Sequence, residues 1–128
     1  MALLHKILVV DDDDISLFLA TNLLKLLTVD VEVQTVSGAQ QALDYLQAAS
    51  QSGSYPELML VEIIMEPMNG FEFMQAYRDS NRLNQLPIQI VFVSSNRQYR
   101  HLEQAQNFLD LDFIEKPLTP KNLAKYLA

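Results

Sequence analysis

The chain has no cysteine among its 128 residues. Disulfides and thiolate metal sites are therefore excluded, and cysteine usage says nothing about the redox compartment. Positive charge is scarce: 9 Lys and Arg stand against 16 Asp and Glu, for a net charge of −7. A broad contact with a phosphate backbone needs a Lys/Arg surface, so nucleic acid is excluded as the main partner. No apolar run approaches the roughly 20 residues that cross a bilayer. The opening "MALLHKILVVDDDD" is too short, and turns acidic too early, for a signal peptide. These absences predict a cytoplasmic protein with no membrane partner. Repeats, low-complexity tracts and linkers are lacking too. The loosest stretch, "QAASQSGSYP" (47–56), reads as a surface loop.

What is present fits one compact domain over residues 1–128, with 49% apolar residues to fill a core without staples. "KILVV" (6–10), "ELMLVE" (57–62) and "IQIVFVS" (88–94) are short, β-branched-rich apolar runs and read as buried strands. "VEVQTV" (31–36) alternates, as a half-exposed strand does, and "LDFIE" (111–115) makes a fifth. Helices are expected between them. "ISLFLATNLLKLL" (15–27) carries Ile15, Phe18, Leu19, Leu23 and Leu26 at helical spacing, with Asp13 or Asp14 as cap. "AQQALDYLQAA" (39–49) turns Ala42, Leu43 and Leu46 inward. "FEFMQAYRDSNR" (71–82), the rather polar "RQYRHLEQAQNFL" (97–109) and "PKNLAKYLA" (120–128) complete the set.

Five strands alternating with five helices imply an α/β, three-layer, doubly wound parallel sheet with right-handed crossovers. In such sheets chemistry sits in the crevice at the carboxyl ends of the strands. That rule selects Asp11 to Asp14, Glu62 to Asn69, Ser94 to Asn96 and Glu115 to Pro117. Carboxylates gathered there repel one another, and a divalent cation relieves the repulsion. All-oxygen ligands suit Mg²⁺. Lys116 offers a point charge for an anion, and Ser94 offers a hydroxyl donor. Together these groups suit phosphoryl transfer to a carboxylate. Taken singly, each has a plainer reading. Four Asp residues can simply cap a helix, a Ser at a strand end is usually a turn residue, and Glu62 alone can be a solvated strand end.

The joint pattern resembles the receiver domain of bacterial response regulators, over essentially the whole chain. "ILVVDD" matches the family's opening strand and acidic pair, with Asp11 and Asp12. The family's central signature is a phosphoacceptor Asp, two residues, Met-Pro, one residue, then Met-Asp-Gly. Here it reads "EIIMEPMNG": Met65, Met68 and Gly70 are in register. Glu62 falls on the phosphoacceptor position, Glu66 on the Pro and Asn69 on the second Asp. "DFIEKP" supplies Lys116 before a Pro and Phe113 at the aromatic switch position, while Ser94 falls on the Ser/Thr after the fourth strand.

The resemblance implies the flavodoxin-like strand order 2-1-3-4-5. It implies Mg²⁺ held by Asp12 directly, by Asp11 through water, by the Glu62 carboxylate and by the Ile64 carbonyl. It implies that Ser94, Lys116 and Phe113 sense the phosphoryl group. The implied partners are a sensor histidine kinase or phosphotransfer protein, and a downstream protein. The latter would meet the face of the fourth helix, fifth strand and fifth helix, with Tyr99, Leu102 and Phe113. The module signals and is not itself an enzyme.

Glu62 disturbs this expectation. Glu is longer than Asp by one C–C bond, about 1.5 Å, and a 1 Å misplacement can cost roughly 10²-fold in rate. Phosphorylation by the usual route should be lost or reduced, and Mg²⁺ binding weakened. A permanent imitation of the phosphorylated state is limited too. A phosphoryl group brings about −1.5 to −2 charge, whereas Glu brings one negative charge, as Asp does. Two alternatives stay open: a competent acceptor that uses Glu62, and a haloacid-dehalogenase-type phosphatase with Asp11 as nucleophile and Asp13 as acid/base. The second leaves "MEPMNG" unexplained, and no acidic pair follows Lys116. A flavin-binding module fits poorly, because four Asp residues would repel its phosphate.

Overall fold

Strand β1 (Lys6–Val10) is a β-branched run buried on both sides, which only a central strand covered by helices on both faces can be. The computed structural model, which describes residues 4–96, 99 and 102–127, places it so. β2 (Glu32–Val36), β3 (Leu58–Glu62), β4 (Gln89–Ser94) and β5 (Asp112–Glu115) join it in an all-parallel sheet of order β2-β1-β3-β4-β5. Alternate residues face opposite sides. Leu8, Val10, Met59, Val61 and Phe92 pack toward α2 (Ala39–Ser52) and α3 (Gly70–Asp79). Ile7, Val9, Leu60, Val91 and Val93 pack toward α1 (Asp14–Leu27) and α4 (Pro120–Leu127). The expected architecture and strand order are present.

Three details differ from the sequence reading. Helix α2 runs on to Ser52 and ends at Gly53, whose φ of 77° is the left-handed conformation a helix end uses. The loop expected over 47–56 is thus mostly helix. The helix expected over 97–109 appears, among the described residues, as a 3-10 segment, Glu103–Phe108. Residues 97, 98, 100 and 101 lie outside the described residues. Its buried side chains, Ala105 and Phe108, are three apart. A 3-10 turn stacks that spacing directly in line, where an α-helix would offset it by about 60°.

The third difference is α1. Its spacing is amphipathic, but the buried stripe is Leu17, Ala20 and Leu24. Ile15, Phe18, Leu19 and Leu26 are 61–83% exposed, and Leu23 is half-buried. Two apolar stripes run along this helix. The smaller Ala20 lets the helix lie close to the sheet, and the larger residues go outward. Asp13 caps α1 through a bond from the Ile15 amide at 3.1 Å.

The 3-10 segment is clamped to α3. Arg78 of α3 donates to the Asn107 carbonyl at 2.9 Å and to Asp110 at 2.7 Å, with its guanidinium 4.8 Å from the Phe108 ring centre. At the other end of α3, the Asn69 side chain donates to Gln104 at 3.2 Å. Asn69 also accepts from the Glu72 amide at 2.8 Å, and Glu72 accepts from the Asn69 amide at 3.0 Å, a reciprocal cap. Turn chemistry therefore survives where the family signature has Asp.

Candidate functional site

The parallel ladder sets the strand ends side by side. Val10 pairs with Val61, Glu62 with Val93, and Ser94 with Glu115. Asp11 follows β1, held by its amide on the Val36 carbonyl at 3.2 Å. Lys116 follows β5, held by its amide on the Ser94 carbonyl at 2.8 Å. The register alone thus brings Asp11, Glu62 and Lys116 to one crevice.

Their side chains meet. Lys116 Nζ lies 2.7 Å from Glu62 Oε1 and 2.8 Å from Asp11 Oδ2, and reaches Ser16 Oγ at 3.3 Å. Asp11 is 5% exposed and Glu62 7%, over a small apolar-walled space of about 20 Å³. In so little water, ion pairs are stronger and orphaned charges costlier. Burial pulls the Lys116 ammonium toward neutrality. Hydrogen bonds and charge from Asp11 and Glu62 outweigh it, so its pKa stands above the ordinary lysine value of 10.5.

The remaining carboxylate oxygens are also engaged. Glu62 Oε2 accepts from the Ile64 amide at 3.0 Å, and Asp11 Oδ1 from the Asp13 amide at 3.0 Å. All four oxygens of the two buried carboxylates therefore carry a donor. Asp12 takes no part in this cluster. It is exposed, and its Oδ2 accepts from the Glu66 amide at 3.3 Å. The expected convergence of Asp11, Asp12 and Glu62 on a cation is thus replaced by a Lys-bridged pair and an outward Asp12. Among the described residues, no three His, Cys, Asp or Glu side chains gather as a metal site. A Mg²⁺ demands near-octahedral oxygens at about 2.0–2.1 Å. The residues present do not fit it in this arrangement, because an ammonium stands between the carboxylates.

Ser94 is fully buried, but its hydroxyl oxygen accepts from the Asn96 amide at 3.3 Å in a local turn. Glu62 has gone to Lys116 rather than to Ser94. Phe113 is half-buried and lines a cavity of about 50 Å³ with Phe71, Phe92 and Phe108. The phosphatase reading needs a free Asp13, yet Asp13 caps α1 and accepts from Ser16 Oγ at 3.1 Å. Ser16 itself escaped the sequence reading. Its one signal is its position, a turn of α1 beyond the strand end, where a side chain can lean back over the crevice.

Gly70 is in place for a steric reason. A Cβ there would lie 2.6 Å from the Glu62 carbonyl oxygen and 2.9 Å from Ile63 Cα, both backbone. Its amide also donates to the Ile63 carbonyl at 2.9 Å. We expect Gly70→Ala to destabilise the fold by about 1–3 kcal/mol, as overpacking does. A lower urea midpoint with an unchanged m-value is the expected reading. An unchanged midpoint would show that the approach is not needed.

The model of the response regulator receiver domain family matches residues 7–128. No curated protein sequence matches the chain. Among solved structures, a two-component response regulator from Cytophaga hutchinsonii is 25% identical, with 98% of each chain covered and a TM-score of 0.83. The bacteriophytochrome response regulator AtBRR is 25% identical, covering 97% of this chain and 90% of its own, with a TM-score of 0.80. The chemotaxis protein CheY4 of Vibrio cholerae shares the fold at 22% identity, covering 97% of this chain and 96% of its own, with a TM-score of 0.77.

Proposed function

The chain belongs to the response regulator receiver domains of two-component signalling, and from that premise we propose that it signals through protein–protein contact without being phosphorylated at Glu62. Receiver domains generally meet histidine kinases or phosphotransfer proteins and downstream effectors, and generally bind Mg²⁺ at their acidic pocket. Residues 1–128 act as one such module in the cytoplasm. The downstream face comprises the 3-10 segment, β5 and α4, with the exposed Leu102 and the half-buried Phe113 on it. Tyr99, half-buried, lies beside them.

One observation carries the proposal: Glu62 Oε1 is 2.7 Å from Lys116 Nζ. An acceptor carboxylate attacks phosphorus with a free oxygen, in line with the leaving group. Here each Glu62 oxygen has a donor, and the cation that would neutralise an incoming phosphoryl group is engaged by two carboxylates. Asp11 and Asp12 are the metal positions of the family pattern, with Glu62 and the Ile64 carbonyl. Ser94, Lys116 and Phe113 are its sensing positions. In this chain Lys116 takes over the neutralising role.

The same ion pair supports a second reading, in which Glu62 imitates a phosphoryl group. Its reach to Lys116 favours it. The magnitude limits it: one charged hydrogen bond supplies about 1.5–3 kcal/mol, while shifting a two-state equilibrium from 1:99 to 99:1 needs about 5.5 kcal/mol. With Ser94 in its local turn, any bias toward the active arrangement is partial.

Incubation with a small acyl-phosphate donor and Mg²⁺, followed by intact mass, tests the proposal. The expected result is an unmodified chain. A stoichiometric, base-labile phosphoryl adduct mapped to Glu62 would overturn it and make Glu62 a working acceptor.

A further inference from the structure

The outward side of α1 is apolar, and this is independent of the crevice. At about 100° per residue, Ile15, Phe18, Leu19, Asn22 and Leu26 share an arc of roughly 100° diametrically opposite the buried Leu17, Ala20 and Leu24. Ile15 is 69% exposed, Phe18 65%, Leu19 61% and Leu26 83%, and Val29 beyond the helix end is 85% exposed. An apolar patch of this kind on a small folded chain marks an interaction surface.

The stripe has a symmetry of its own. Ile15 and Phe18 lie seven and four residues before Asn22, and Leu26 and Val29 lie four and seven after it. Read in either direction, it is nearly the same pattern. Asn22 is the single polar residue on it. A carboxamide offers both donor and acceptor, so an amide facing its own copy satisfies itself. One Asn within an apolar helical seam fixes register and partner choice. A twofold axis through Asn22, with the two helices antiparallel, sets Phe18 against the partner's Leu26 and Ile15 toward the partner's Val29, two residues past the helix end.

Charge favours the same orientation. Asp12, Asp13 and Asp14 crowd one end of α1, and an antiparallel pair keeps these clusters at opposite ends and opposes the helix dipoles. The exposed side chains offer on the order of 500 Å² of apolar surface per protomer. Two copies together bury about 1,000 Å², the lower edge of a specific interface. Beside the stripe a groove of about 530 Å³ opens between Leu19 and Leu23 of α1 and Pro117 and Leu118, and it ends at Lys116.

We propose that α1 is the interface of a weak, antiparallel homodimer centred on Asn22.

Sedimentation from micromolar to millimolar protein tests this. A monomer–dimer equilibrium is expected, tightening as salt rises because each copy carries a net charge of −7. Leu26→Asp, on a side chain 83% exposed and therefore safe for folding, should weaken association at least tenfold. Leu102→Asp, on the other face, should leave it unchanged. The chain has no cysteine, so Asn22→Cys introduces one thiol. Under mild oxidation it should give a disulfide-linked dimer in high yield, while Gln40→Cys on exposed α2 surface should not. Monomer at every concentration and salt, association indifferent to Leu26→Asp, or equal cross-linking at both positions would each overturn the proposal. The first of these outcomes would assign the stripe to a different protein.

Discussion

Replacing Glu62 by Asp is expected to turn a chain that stays unmodified in an acyl-phosphate donor into one that carries a phosphoryl group. The substitution withdraws the carboxylate by about one C–C bond, 1.5 Å. At 2.7 Å the Glu62–Lys116 contact has no slack, so the shorter arm releases Lys116 to Asp11 alone. A carboxylate oxygen is then free to form the new P–O bond as the donor's acyl oxygen leaves. A 1 Å change of position is worth roughly 10²-fold in such a step, so labelling should rise by at least that factor over the parent. Intact mass at matched times reads it directly. If Glu62→Asp stays as unreactive as the parent, the block lies elsewhere, with Glu66, Asn69 and the outward Asp12 the first residues to examine.

Removing the bridging cation should have the largest effect on stability. Lys116→Met keeps the unbranched stem of the side chain, drops the ammonium, and leaves Asp11 and Glu62 buried with no counter-charge. Breaking a buried pair from one side costs about 3–5 kcal/mol. Lys116 is partly open, its side chain 22% exposed, so the lower end applies. For a domain of this size, about 3 kcal/mol lowers Tm by roughly 10 °C. Adding Glu62→Gln removes one orphaned charge and should return a large part of the loss. Additive losses in the double variant would show that the pair is not the source.

This pair also sets a pH dependence. The Lys116 pKa is raised on folding. Its contribution is therefore fully present below the unfolded value near 10.5 and is lost as pH rises through the folded value. Tyr77 acts in the same direction. Its hydroxyl has no hydrogen-bond partner among the described residues, and burial pushes its pKa to about 12. Parent and Lys116→Met should both lose stability above pH 10, with the gap between them closing as the lysine deprotonates.

The sheet was legible in the sequence because buried parallel strands need apolar β-branched runs, and each run here ends on or just before a polar residue. The crevice residues followed from topology, since register brings Asp11, Glu62 and Lys116 together whatever their side chains do. The destination of those side chains was not legible. Whether Lys116 bridges two carboxylates or waits for an anion is decided by distances between residues about fifty to a hundred positions apart. The outer stripe of α1 misled for a related reason. Periodicity gives the apolar spacing of a helix, but with Leu17, Ala20 and Leu24 on one side and Ile15, Leu19 and Leu26 on the other, either side fits a core. The 3-10 segment was hidden because Ala105 and Phe108 suit three residues per turn as well as a loose α-helix.

Asn69 caps α3 on one side and grips Gln104 on the other, while Arg78 clamps the far end of the 3-10 segment. Helix α3 thus works as a tie-rod. Its first residue, Gly70, sits against the Glu62 carbonyl, and both of its ends hold the 3-10 segment. Because Gly70 packs on the Glu62 backbone while Asn69 and Arg78 hold the 3-10 segment, one helix fixes the position of both the loop after β3 and that segment.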